Sequence, residues 1–153
     1  MGLDVGTKTI GIALVDPGWR VATPYETLKR IKFSADAAQL QSLIAARNIG
    51  GLVIGLPLML DGRIDKKAQS CKSFALNLSR LADWILPIML WDERLSTKAA
   101  ERTLIGVLDQ TRSKRAKLVD QLAASFILQG AVDAMNHHLT HHALENHSDH
   151  DHA

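Results

Sequence analysis

Two short unbroken apolar runs, Leu52-Val53-Ile54 and Ile88-Met89-Leu90-Trp91, constrain this chain more than any other feature. Each is too short for a buried helix and lacks polar alternation, so each reads as a strand covered on both faces. Such strands belong inside a mostly parallel sheet whose crossover connections lay helices on either side. The segments around them agree. Ala37, Leu40, Leu43 and Ile44 recur at helical spacing between Ser34, an expected N-cap, and the Gly50-Gly51 stop. Ala68, Cys71, Phe74, Ala75, Leu78, Leu81 and Ala82 mark a second helix between the two runs. Gly55 and Pro57 end the first buried strand, and Pro87 is expected at the start of the second.

Upstream, the apolar stretches Leu3 to Val5, Ile10 to Val15 and Val21 to Leu28 are separated by Gly6-Thr7-Lys8-Thr9 and by the turn Asp16-Pro17-Gly18, the pattern of a three-strand antiparallel meander. Downstream, Ser96 opens a short helix to about Ile105, and a final helix runs from about Ser113 to Met135. The order βββαβαβα, with one extra short helix, predicts an α/β fold: a mixed five-stranded sheet with helices on both faces. A length of 153 residues suits one such domain, over 1–136. Residues 137–153 hold all seven histidines and little apolar periodicity, so they read as a disordered tail with incidental affinity for Zn, Ni or Cu. No apolar run reaches the roughly 18 residues of a membrane helix. The start lacks the marks of a secretory signal, and the lone Cys71 reads as a small buried apolar group. A cytoplasmic protein is expected.

The net charge of +2 conceals a division. Residues 133–153 contribute −4 and contain no Lys or Arg, so the remainder carries +6. Seven basic residues, Arg94, Lys98, Arg102, Arg112, Lys114, Arg115 and Lys117, fall within 24 positions against Glu101 and Asp109. A run like this attracts polyanions, although a solvated helix face accounts for it equally well.

Three places carry carboxylates that a bland reading does not fully absorb. Asp4 sits inside the first apolar strand, where a charge is costly without a cation or hydrogen-bond partners. It is either a structural Asp closing a turn or a ligand, with Gly6 and Gly11 permitting close approach. Asp92 and Glu93 follow the second buried strand at its carboxyl end, where open α/β sheets place ligands. Which of the two points inward is open. Asp120 projects between Ile127 and Ala131 at the border of the last helix's apolar face. Carboxylates from separate elements converging on a basic domain describe a Mg²⁺ or Mn²⁺ phosphodiesterase site.

At these residues the chain resembles the YqgF family, also called RuvX. The matching motifs are Gly2-Leu3-Asp4-Val5-Gly6-Thr7-Lys8 with Ile10-Gly11-Ile12-Ala13, Val53-Ile54-Gly55-Leu56-Pro57-Leu58 with Asp61-Gly62, Asp92-Glu93-Arg94-Leu95-Ser96-Thr97, and Leu118-Val119-Asp120-Gln121-Leu122-Ala123-Ala124 with Ile127-Leu128. Family members are described as Holliday junction resolvases and as nucleases in 5′-end maturation of pre-16S rRNA.

The resemblance implies an RNase H-like fold and a metal-dependent endonuclease. Its acidic site would comprise Asp4, Glu93 and Asp120 as catalytic metal ligands, with Asp92 as a neighbouring candidate. Mg²⁺ or Mn²⁺ is the implied cofactor. Lys8, Arg94, Arg112, Lys114, Arg115 and Lys117 are the expected phosphate contacts, and the segment 55–62 is expected to border the cleft. Pre-rRNA within a precursor ribosomal particle is the implied partner, with branched DNA as the alternative substrate and a non-catalytic nucleic-acid-binding protein as the alternative function. Asp4-Val5-Gly6-Thr7 also resembles the phosphate loop of actin-like ATPases, but those need two such domains and 153 residues cannot supply both. Two departures stand out: Thr9 replaces the family's usual basic residue, removing one expected phosphate contact, and the first strand is unusually short.

Overall fold

In a computed structural model, the described residues are 1–95 and 112–148. Five strands form one sheet: β1 (Gly2–Val5), β2 (Thr9–Val15), β3 (Ala22–Lys29), β4 (Leu52–Leu56) and β5 (Ile88–Asp92), in the order β3-β2-β1-β4-β5. β1, β2 and β3 pair antiparallel, whereas β1 with β4 and β4 with β5 pair parallel. Helices α1 (Phe33–Arg47) and α2 (Lys66–Ser79) cross over between the parallel strands. A 3₁₀ turn, Glu93–Leu95, follows β5, and α3 (Arg112–Ser148) closes the domain. The mixed five-stranded sheet expected from the sequence is therefore present. The short helix expected over Ser96 to Ile105 lies outside the described residues.

Strand alternation assigns the two faces. Leu3, Val5, Ile10, Ile12, Leu52 and Ile54 pack with Leu40 of α1 and with Cys71, Phe74 and Leu78 of α2. Ala13 and Val53 point to the other face and pack with Ala124, Ile127, Leu128, Ala131 and Val132 of α3. Consecutive residues of β4 thus enter different cores, which is why its sequence shows no polar alternation. On the α3 face the central strands present small residues, Gly2, Gly11 and Ala13, so the helix backbone lies almost directly on the sheet. Asp4 belongs to this same face by alternation.

Four expectations need correction. The N-cap of α1 is Lys32, without a side-chain cap bond, rather than Ser34. The Asp36 carboxylate instead turns back to accept from Ile31 N–H at 3.1 Å and from Arg30 Nε at 3.1 Å, so the entry is tied down by a residue inside the first turn. The same helix stops at Asn48, which adopts the left-handed conformation at φ 52°, before reaching Gly50-Gly51. β5 is an edge strand, and Met89 and Leu90 remain 38% and 37% exposed, so its apolar run is not buried on both faces. Finally, α3 does not stop near Met135 but continues to Ser148. The segment lacks Gly beyond Gly130 and any Pro, and nothing in it terminates a helix. No helix among the described residues is long and apolar enough to cross a membrane.

Candidate active site

The carboxyl ends of the parallel strands bring together the acids that the sequence leaves scattered. Asp4 is paired in register with Gly11 of β2, and any Cβ on Gly11 would run into the Asp120 backbone of α3. Gly11 is therefore the gap through which the last helix reaches the level of Asp4. Thr9, two residues earlier on β2, donates its hydroxyl to Asp120 Oδ2 at 2.7 Å, which fixes that carboxylate. On the other side, a Cβ on Gly55 of β4 would collide with the Glu93 carboxylate and the Ile127 side chain. Glu93 thus lies over β4 on the α3 face. Asp4, Glu93 and Asp120 come from a strand, a 3₁₀ turn and a helix, yet occupy one end of one face.

The neighbouring Asp92 has a different job. It accepts from Arg94 Nη2 at 2.6 Å and Nε at 3.0 Å, and from the Arg94 backbone N–H at 3.0 Å. The guanidinium holds the Asp92 carboxyl below the usual carboxylate range. The structure thereby resolves which acid of the pair points inward: Glu93. Arg94 Nη1 also donates to the Leu60 carbonyl at 3.3 Å, so this arginine latches the 57–65 loop to the end of β5. Asp61 lies in the same loop and pairs with Arg63.

Electrostatics report the crowding of charge. Burial raises the Asp4 carboxyl, Lys67 opposes the shift, and the Asp120 charge adds to it. Burial pushes Glu93 up to about 7, with the Asp4 charge as the second cause, again opposed by Lys67. Asp4 and Glu93 both resist ionisation, and a bound cation would reverse that preference. Hard carboxylate oxygens with no thiolate or imidazole among them fit Mg²⁺ or Mn²⁺. Among the described residues no three His, Cys, Asp or Glu stand close enough to form a finished cage.

Sequence reasoning missed Lys67. It stands in the first turn of α2, four residues before Cys71, whose Sγ contacts the Val5 carbonyl at 3.6 Å. The i, i+4 spacing puts Lys67 above the end of β1, where it faces Asp4 and Glu93. Only the α2 helical phase and its packing on β1 carry that signal. Cys71 is buried, with its thiol pushed up to about 11 by burial first and Glu93 second, and so is an unreactive apolar group. Lys8 is exposed in the first hairpin turn, while Arg30 Nη1 donates to the Gly6 carbonyl at 2.7 Å and braces that turn. Lys117 is exposed, and its carbonyl accepts from Thr27 Oγ1 at 2.9 Å. The side chains of Arg112, Lys114 and Arg115 lie outside the described residues.

Two measurements follow from this geometry. Thr9→Val should free Asp120 to rotate and lower kcat about tenfold with little change in KM, while Thr9→Ser restores it; equal rates for Val and Ser would remove Thr9 from the site. Glu93 is neutralised more readily in the folded than in the unfolded chain. The resulting stabilisation is complete below its ordinary value of 4.5 and is lost as pH rises through about 7. In EDTA, Glu93→Gln should therefore flatten the fall in Tm across that window and melt above the parent at pH 8. Parallel curves for the two proteins would refute the crowded site.

A family model described as RuvX, Holliday junction resolvase, matches residues 1–134. A protein of Nitrobacter hamburgensis named "Putative pre-16S rRNA nuclease" is 56% identical over 135 residues, covering 88% of this chain and 81% of the relative. One of the same name from Sphingopyxis alaskensis is 54% identical over 134 residues, covering 88% and 86%. Among solved structures, T. thermophilus RuvC in complex with Holliday junction substrate superposes with a TM-score of 0.56 at 16% identity, covering 88% of this chain and 92% of that one. This likeness supports the RNase H-like fold expected from the motifs. The chain belongs to the RuvX family.

Proposed function

We propose that this protein is a metal-dependent endonuclease that hydrolyses phosphodiester bonds in the 5′-end maturation of pre-16S rRNA. The observation that carries the reading is the convergence of Asp4, Glu93 and Asp120 on one face at the carboxyl ends of the parallel strands. The curated relatives named "Putative pre-16S rRNA nuclease" support the choice of substrate.

Asp4, Glu93 and Asp120 would hold Mg²⁺ or Mn²⁺. A divalent ion in such a site supplies an activated water and charge stabilisation for the leaving oxygen. The chain's own part begins with positioning. Thr9 occupies one oxygen of Asp120 and leaves the other available. Glu93, at about 7, gives up its proton near neutrality when a cation binds, so metal uptake should be proton-coupled. Lys67 and Lys8, both exposed at this end of the sheet, neutralise backbone phosphates without reading sequence. Arg94 is spent on Asp92 and on the Leu60 carbonyl, so its contribution is to shape the 57–65 loop along the cleft.

The family's description makes branched DNA the second substrate class. Purified protein incubated with end-labelled pre-16S RNA or four-way DNA junctions, each with Mg²⁺, Mn²⁺ or EDTA, separates the readings. Metal-dependent cleavage of the RNA near its 5′ end is expected. Preferential cutting of the junction would reassign the substrate, and salt-sensitive binding without cleavage under either metal would leave a non-catalytic binding protein.

A further inference from the structure

All seven histidines lie from residue 137 onward, and α3 runs through this segment to Ser148. Helical structure turns sequence separation into position on a face. His137 and His141, four residues apart, stack one turn above the other. Their ring centroids are 4.5 Å apart with the planes at 67°, and both residues are exposed. With both residues exposed, rotation about χ2 can aim a nitrogen of each at a shared point.

The surroundings favour a cation. No Lys or Arg occurs from residue 133 onward, and Asp133, one turn before His137, carries a negative charge that accepts from Gln129 Nε2 at 2.9 Å. Imidazole is a borderline donor that selects Zn²⁺, Ni²⁺ or Cu²⁺ over Mg²⁺ and Mn²⁺. Two histidines at i and i+4 on one helix face are a spacing with which helices ligate zinc. Asp120 lies roughly 25 Å away along the helix axis, so this pair is separate from the carboxylate site.

We infer that His137 and His141 form a two-imidazole site for a borderline divalent transition ion, Zn²⁺, Ni²⁺ or Cu²⁺, with water or another donor completing the coordination. A bound ion joins successive turns and therefore clamps α3 beyond the sheet. This does not depend on the nuclease reading.

The test is calorimetric titration of the full chain with Zn²⁺ in excess Mg²⁺, which saturates hard-oxygen sites, alongside His137→Ala, His141→Ala and the double variant. All three should fold, because both positions are exposed and Ala is the better helix former. Each single substitution should weaken binding by roughly a hundredfold, since the second imidazole acts as an intramolecular donor, and the double should lose the binding that the pair provides altogether. Zn²⁺ should also raise the far-ultraviolet helical signal and its midpoint on heating in the parent alone, while Mg²⁺ does neither. Single variants that bind as tightly as the parent would overturn the site.

Discussion

Asp4→Asn should reduce metal-dependent cleavage by roughly a hundredfold or more, the scale on which removing one preorganised electrostatic partner costs an active site, while leaving the protein folded and able to bind nucleic acid. The physical reason lies in where Asp4 stands. It is central among the strands, faces α3, and feels the charges of both Asp120 and Glu93. Asparagine keeps its shape but supplies a neutral amide oxygen in place of an anionic ligand. Removing a buried charge from an acidic cluster should not destabilise the metal-free protein, so equal or higher Tm in EDTA is the accompanying expectation. The checks are cleavage with Mg²⁺ or Mn²⁺ and a melting curve on the same preparation. Undiminished cleavage by a folded Asp4→Asn protein would place the chemistry elsewhere.

The second large effect concerns stability. Gly11→Ala introduces a Cβ directly into the Asp120 backbone of α3, and backbone cannot rotate out of the way. The helix must lift from the sheet. Overpacking of this kind costs about 3 kcal/mol, which corresponds to roughly 6 to 12 °C in Tm for a chain of this size. Activity should fall as well, because lifting α3 separates Asp120 from Thr9 and Asp4. Gly50→Ala is the control: a Cβ there meets nothing within 4 Å, and its Tm should match the parent. Equal melting of the two variants would contradict the close seating of α3 on β2.

Much of this was legible in the sequence. The unbroken run at Leu52-Val53-Ile54 reflects a strand shared between two cores, and the Phe74 stripe of α2 obeys a local rule that needs no partner. Asp4, the Asp92-Glu93 pair and Asp120 stand out in the sequence as acids in costly places, and it is the family resemblance that singles out Asp4, Glu93 and Asp120 among them. Where reading along the chain failed, a distant surface decided. Trp91 ends an apolar run of an edge strand, and a Cβ at Gly130 would meet its indole at 3.0 Å, so it packs under α3. Tyr25 is engaged by Arg47, whose Nη2 donates to its hydroxyl at 2.7 Å.

The sequence by itself determined the five strands and the two helices that connect the parallel ones, since periodicity and turn chemistry act over a few residues. It also determined that acids would stand at the strand ends. Only the tertiary structure decided that Glu93 rather than Asp92 turns inward, that Thr9 holds Asp120, and that Lys67 overlooks the cluster. Each of these depends on the phase with which one element docks on another 26 to 111 residues away in sequence, and on glycines that let backbones meet. Local spacing contains neither quantity, because both are set by close packing across the whole domain.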